Sequence, residues 1–331
     1  MDYFGRNGLG STLFFYVTVL IVAGCGLTEG FGNNVNMVTL RMECRIKSHG
    51  DTSRIALTCL IPKSIENRQR VFDITYSTSP ARVFDEGENR YAVFDIPGPA
   101  EEENIIITAK LGLMGHSLKS VLALRKNGLN GRKTSLTPEE TSRYLTSERY
   151  ILVNHPEIEK ASKKIKKPYY LIEPDPTKQQ LDMVKKIFKF VLRNMSYSGY
   201  NYNDKGALEA LRTHRGDCSE YSDLFIALCR AKGLPARVAE GLTSEYHVTP
   251  KHAWAEVFIS GLGWIPFDPT FADTRGAYFD SMKPIYIGLS RIRNDKTLGG
   301  RHYYYYYCWG AMSQVKMTYK FRKCPTPPNH G

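Results

Sequence analysis

A thiol, an imidazole and a carboxylate in this chain have the spacing and local patterns of groups that act together: Cys218, His252 and Asp268. Cys218 follows Arg215-Gly216-Asp217 and begins a helical pattern that reaches Lys232, with Gly233 as its stop and Pro235 beyond. The amino end of a helix turns unpaired N–H groups and the positive end of its dipole toward such a thiol, which favours the nucleophilic thiolate. Taken alone, a cysteine reads better as packed core than as a nucleophile; a nucleophile also needs a base. The run from His252 to Ile259 alternates as a strand, turns through Ser260-Gly261-Leu262-Gly263, and returns as Trp264-Ile265-Pro266-Phe267-Asp268. Antiparallel pairing carries His252 and Asp268 to the same end of this hairpin. A carboxylate that accepts from one imidazole nitrogen leaves the other to take the thiol proton, so the three side chains fit a triad for acyl transfer.

Such a site also needs donors for an oxyanion. The backbone N–H of Cys218 is one candidate, and Tyr197, Tyr200 and Tyr202 cluster upstream as others, with aromatic packing as their alternative reading. A helix capped by Asp175, with Pro176 at its first position, carries Leu181, Val184, Ile187, Phe188, Val191 and Leu192 at core spacing. Cys229 falls on the buried side of the Cys218 helix. His214, His247 and His252 lack zinc-type spacing and no acidic loop is built for calcium, so no metal or other cofactor is expected.

The first half reads as β structure. Val38, Leu40, Met42, Cys44 and Ile46 alternate with polar residues, as do Ile55, Leu57, Cys59 and Ile61, with turn residues His49 to Ser53 between. Pairing the two runs as a hairpin puts Cys44 opposite Cys59, which predicts a cross-strand disulfide; two buried free thiols are the alternative. Strand-like runs Val71–Tyr76, Tyr91–Ile96, Ile105–Leu111 and Leu118–Leu124 complete a β-sandwich over residues 34–126, read as a spacer or docking domain. Asn127 to Lys133 is a linker, and the capping box Thr137-Pro138-Glu139-Glu140 opens a helical region, so a second domain is placed at 135–331. The lysine-rich run Glu157 to Lys167 is a solvated helix face. Near the end, Tyr303–Tyr307 and Val315–Phe321 read as a hairpin closing the second domain's sheet, with an aromatic ligand platform as the alternative.

Arg6 precedes a run of apolar residues from Thr12 to Gly24, too short for a spanning helix of about 20 residues and suited to a signal peptide over 1–25. The sequence Val22-Ala23-Gly24-Cys25 is similar to a bacterial lipobox, which implies lipidation of Cys25 and a membrane anchor outside the cytoplasm; cleavage elsewhere and an uncleaved anchor are the alternatives. The chain of 331 residues has a net charge of +12, which favours anionic surroundings, yet no nucleic-acid motif accompanies it.

The blocks GDCSEYSDLFIALCRAKGLPARVAEG and KHAWAEVFISGLGWIPFDPTF resemble the core of the transglutaminase-like superfamily. The resemblance spans Ser135 to Asp273 and implies an α+β, papain-like core preceded by the β-sandwich, with Cys218 as nucleophile, His252 as base and Asp268 as orienting acid. It also implies a bacterial envelope protein acting on a protein or peptide substrate. Three functions remain: a thiol peptidase or amidase, a protein cross-linker using the same thioester, and a catalytically silent peptide-binding scaffold.

Overall fold

The computed structural model describes residues 35–128, 133–170, 172, 175–201, 203–246 and 250–324. Cys25 and the signal segment lie outside them, as do Tyr202 and His247. Six strands come first: β1 (Val35–Lys47), β2 (Arg54–Leu60), β3 (Gln69–Tyr76), β4 (Arg82–Glu86), β5 (Asn89–Pro97) and β6 (Glu102–Met114). A short β7 (His116–Ser117) leads into helices α1 (Leu118–Lys126), α2 (Pro138–Arg143), α3 (Pro156–Lys164) and α4 (Pro176–Asn194). The second half contains β8 (Ser196–Tyr197), α5 (Gly206–Thr213), β9 (Arg215–Gly216), α6 (Cys218–Ala231), β10 (Ala236–Thr243), β11 (Lys251–Ile259), β12 (Gly263–Phe267) and α7 (Pro269–Arg275). The chain ends through β13 (Ser281–Met282), β14 (Tyr286–Ser290), β15 (Tyr304–Trp309) and β16 (Gln314–Lys323).

The alternating residues of β1 and β2 are buried as their pattern requires, but the two strands are not a hairpin. β1 pairs with β6 and β16 in one sheet, whereas β2 pairs with β5 and β15 in the facing sheet. Alternation fixes which face of a strand is buried and says nothing about its neighbour; here the turn at His49 to Ser53 crosses between sheets. Cys44 consequently lies opposite Ile105 and Met317, and Cys59 opposite Ala92 and Tyr304. Both are free thiols, so the expected disulfide is replaced by the packed-cysteine alternative. Burial pushes the Cys44 thiol up to about 12.

Two other expectations change. Leu118–Leu124 is the body of α1, capped by the Ser117 hydroxyl accepting from Ser120 N–H, with Leu118 and Val121 buried at helical spacing. Leu, Ala, Lys and Arg are strong helix formers, and the local propensity wins. The final strands do not close the second domain's sheet: β15 extends the β2 sheet and β16 extends the β1 sheet. The sandwich is therefore completed by β15 and β16, with the second core inserted between its strands. A tyrosine run alternates acceptably on any half-buried sheet, so its sequence could not choose the sheet.

The core sheet has strand order β12-β11-β10-β14. Helix α6 packs on it through Leu224, Phe225 and Leu228, and α4 supplies Val184, Ile187 and Val191 to the same core. The two cores meet where Leu242, Ile287 and Leu289 of this sheet enter the sandwich cluster. In α3, Ile158 and Ala161 are buried and Glu157 pairs with Arg212, which leaves the lysines on the solvated face expected of them.

Charged residues bind the two parts together. Arg237 and Arg291 both pair with Glu256, and Arg237 lies 3.9 Å from the Trp264 ring centroid. Burial alone would raise Glu256, but Arg291 and Arg237 bring it down to about 2. Arg293 reaches Asp223, Asp204 and Glu240, while His302 bridges Asp204 and Glu240 at 3.0 Å each. Attraction to Glu240, with the Asp204 contact, raises His302 from 6.5 to about 10. Its stabilising contribution is full below pH 6.5 and lost as pH climbs through about 10. Subtracting urea-unfolding profiles of His302→Gln from those of the parent should reveal this alkaline loss; superimposable pH dependences would refute it.

Candidate active site

The approach to Cys218 is fixed by β8 and β9, a parallel pair in which Ser196 lies beside Arg215 and Tyr197 beside Gly216. Gly216 is required by close packing, since an added Cβ would lie 2.3 Å from the Glu220 Cβ. Asp217 caps α6: its carboxylate accepts from Ser219 N–H at 2.8 Å, while Glu220 accepts in return from Asp217 N–H at 3.0 Å. Burial, and the neighbouring Glu220, raise Asp217 to about 6. Cys218 is thus the first residue of a helix buried along nearly its whole length, and retains 7% exposure.

His252 lies in β11 opposite Gly241 of β10. At Gly241 the β10–β14 register shifts, and an added Cβ would stand 1.9 Å from the Ile287 carbonyl oxygen; only glycine fits this bulge. The His252 Nε2 is 2.7 Å from the Asp268 Oδ2. Asp268 also caps α7 by accepting from Phe271 N–H at 2.9 Å, and it accepts from the Tyr286 hydroxyl at 2.7 Å. Phe271 lies flat against the imidazole, with centroids 4.0 Å apart and planes 18° apart. Ring rotation is therefore blocked by a face and by a bond, and Nδ1 is the imidazole nitrogen not committed to Asp268.

The structure thus joins His252 and Asp268 directly, as the hairpin argument required. The Cys218 thiol meets β11 one residue further along, where the Ala253 N–H points at it. Burial pushes this thiol well above its ordinary value, Asp217, Asp268 and Glu240 push in the same direction, and the Ala253 N–H opposes them. Helix-end stabilisation amounts to about 0.3–1 kcal/mol in ordinary cases and reaches only ~2 kcal/mol in partly buried ones. Desolvation of a buried charge costs several kcal/mol, so burial opposes the thiolate more strongly than the helix end favours it.

Of the tyrosines considered for the oxyanion, Tyr197 lies beside Gly216 and its phenol feels the Cys218 charge. Tyr200 is 41% exposed. Cys229 is fully buried, as its position predicted. Lipidation of Cys25 falls outside the described residues. Sequence reasoning did not find Tyr286, Glu240, His302 or Tyr303. Tyr286 sits in no recognisable motif, and the other three acquire their places through the β10 bulge and the returning tail. Phe271 stood in the Asp-Pro-Thr-Phe phrase, where its spacing from a helix-capping Asp was a usable signal. No group of three or more His, Cys, Asp or Glu side chains among the described residues is arranged to hold a metal ion.

Residues 171–269 match the model of the Transglutaminase-like superfamily. Over 83 residues the chain is 35% identical to Uncharacterized protein YebA of Bacillus subtilis (strain 168), a match covering 21% of this chain and 11% of that protein. This chain spans about a ninth of that relative's length. Its fold is similar to a structure from Cytophaga hutchinsonii described as a candidate cysteine protease, with TM-score 0.60, 17% identity, and 89% of this chain and 92% of the other covered. The periplasmic domain of TgpA from Pseudomonas aeruginosa aligns with TM-score 0.38 and 15% identity, over 74% of this chain and 91% of that one. The coverage of the Cytophaga structure shows that the fold is shared by sandwich and core together.

The upward push of burial on the Cys218 thiol has a direct consequence for reactivity. Iodoacetamide should label Cys218 more slowly at pH 7 than a free cysteine with its pKa near 8.5, with the rate still climbing above pH 9, as followed by peptide mass spectrometry. Rapid labelling at pH 6 that disappears in His252→Ala would instead establish a preformed thiolate–imidazolium pair.

Proposed function

We propose that this protein is an extracytoplasmic thiol enzyme that cleaves amide bonds through a Cys218 thioester. The observation that carries this reading is the 2.7 Å His252–Asp268 bond, which orients the imidazole with Nδ1 open beside the strand that receives Cys218. As Sγ attacks an amide carbonyl carbon, Nδ1 takes the thiol proton. The imidazolium then gives this proton to the amine nitrogen as the C–N bond breaks. Water, deprotonated by the same nitrogen, attacks the thioester; the proton returns to Sγ and the acid leaves. The Cys218 backbone N–H, at a helix position without an intrahelical partner, and the Tyr197 hydroxyl are the donors assigned to the oxyanion. Asp268 stabilises the imidazolium at each stage.

The low exposure of Cys218 supports a second reading, in which a lysine amine replaces water and the product is an isopeptide cross-link. Incubation of the protein with peptide libraries, with and without an added amine, separates the readings by product mass. Hydrolysis adds water across one bond, whereas transfer releases ammonia and joins two chains. Cys218→Ala should lower either turnover by at least about 10³-fold with the fold retained; undiminished turnover would remove Cys218 from the reaction.

The location proposed is the bacterial cell envelope, with Cys25 lipidated and the body of the chain outside the cytoplasm. The support is the charged start, the apolar run and the Val22-Ala23-Gly24-Cys25 sequence. Cys25→Ser should move the protein from the membrane to the soluble fraction and remove a diacylglyceryl mass from its mature amino end. Retention at the membrane with no lipid on Cys25 in the parent protein contradicts the anchor.

A further inference from the structure

Three segments gather beside the reacting groups: Tyr197 of β8, Tyr246 just beyond β10, and Arg275 at the last turn of α7. The Arg275 guanidinium lies 3.8 Å from the Tyr246 ring centroid and 5.2 Å from that of Phe271. Tyr246 meets Phe271 edge-on at 5.1 Å, and Phe271 is the ring stacked on His252. Arg275 therefore stands one aromatic ring from the imidazole, with its side chain exposed. Its charge also reaches the phenol of Tyr197, which feels Cys218 as well.

The ordinary reading of Arg275 is a cation that complements the carboxyl end of its helix. Two observations argue for more. The guanidinium is stacked on a ring, and stacking leaves the in-plane fork of N–H donors directed outward, the arrangement that binds a carboxylate through two bonds. Several other arginines of this part of the chain are matched to acids within it: Arg237 and Arg291 with Glu256, Arg293 with Asp223, and Arg230 with Glu148. Among the described residues no carboxylate stands within ion-pair distance of Arg275. A preorganised and unneutralised fork at the edge of the reacting groups is an anion-recognition element.

We infer that Arg275 binds a carboxylate of the substrate, so that the peptides this site accepts are acidic close to the amide attacked by Cys218. The guanidinium and the imidazole lie 5.2 and 4.0 Å from the centre of the Phe271 ring. A substrate in extended conformation, advancing ~3.3 Å per residue, covers such a span within about three residues. The carboxylate is supplied either by an Asp or Glu side chain or by a free carboxyl terminus. The inference rests on the thiol-enzyme reading only for its choice of cleft.

Calorimetric titration of the intact chain carrying Cys218→Ala tests binding without turnover. The probes are N-acetyl tetra-alanine with a free carboxyl terminus, its neutral amide, and amides with glutamate at each position in turn. At least one carboxylate-bearing peptide should bind about tenfold more tightly than the neutral amide, a difference of about 1.4 kcal/mol. Arg275→Gln should erase this preference and Arg275→Lys should keep part of it, because lysine retains the charge without the fork. The peptide that gains most identifies the source of the carboxylate. Equal binding of neutral and acidic probes, no binding of any probe, or a preference that survives Arg275→Gln overturns the inference. Undiminished turnover in Cys218→Ala would count against the thiol enzyme alone and leave the peptide preference readable.

Discussion

A carboxylate can be buried only if its oxygens find donors, and the second half of this molecule is organised around that requirement at Asp268. Three donors from three elements converge on it: the His252 ring on β11, the Phe271 N–H at the start of α7, and the Tyr286 hydroxyl on β14. Each bond constrains more than the carboxylate. The first selects the imidazole nitrogen that stays open, the second starts a helix whose next turn carries Arg275, and the third fixes β14 relative to the β11–β12 hairpin. Removing a partner from a buried charged group costs about 1–3 kcal/mol or more, so the site and the sheet that holds it are stabilised by the same contacts. The bulge at Gly241 belongs to this set, because a side chain there would collide with the β14 backbone.

The buried charges between sandwich and core extend the same logic over a longer distance. Glu240 pairs with Arg293 and His302, and its charge is also felt at the Cys218 thiol. His302 belongs to the segment that returns to form β15, so the tail that completes the sandwich also supplies a cation near the nucleophile. Breaking a buried pair leaves the remaining charge uncompensated at a cost of about 3–5 kcal/mol. The sandwich is for this reason more than a spacer: its last strands cannot leave without exposing the network beneath β10.

What could be read from the chain followed the range of the interactions concerned. Local signals held: Asp175 as a helix cap, the start of a helix at Cys218, the Thr137–Glu140 capping box, Gly233 as a stop, and the β11–β12 hairpin that unites His252 with Asp268. Alternation located the buried faces of β1 and β2 and could not identify their neighbours, so a plausible hairpin register placed Cys44 across from Cys59 although the strands lie in opposite sheets. Leu118–Leu124 shows the same limit at short range, since five apolar residues in seven satisfy a strand or a helix, and Ser117 as cap decides for the helix. Tyr286 and His302 were invisible because nothing local marks a residue whose partner lies across a sheet or 62 residues away.

Burial of the nucleophile decides how the site must work. With three carboxylates and a low-polarity setting against it, a free thiolate at Cys218 is disfavoured more than one helix end can offset. In the proposed reaction the proton leaves in the same step in which sulfur attacks, to a base already oriented for it. That places the kinetic demand on the His252–Asp268 pair rather than on the helix, and it explains why Phe271 and Tyr286 restrain the ring and its partner so closely. It also separates two kinds of charge at the site: Glu240 is paired with Arg293 and His302 and Asp268 is held by three hydrogen-bond donors, whereas Arg275 has no carboxylate within ion-pair distance among the described residues, and in our proposal an incoming substrate supplies its counter-charge.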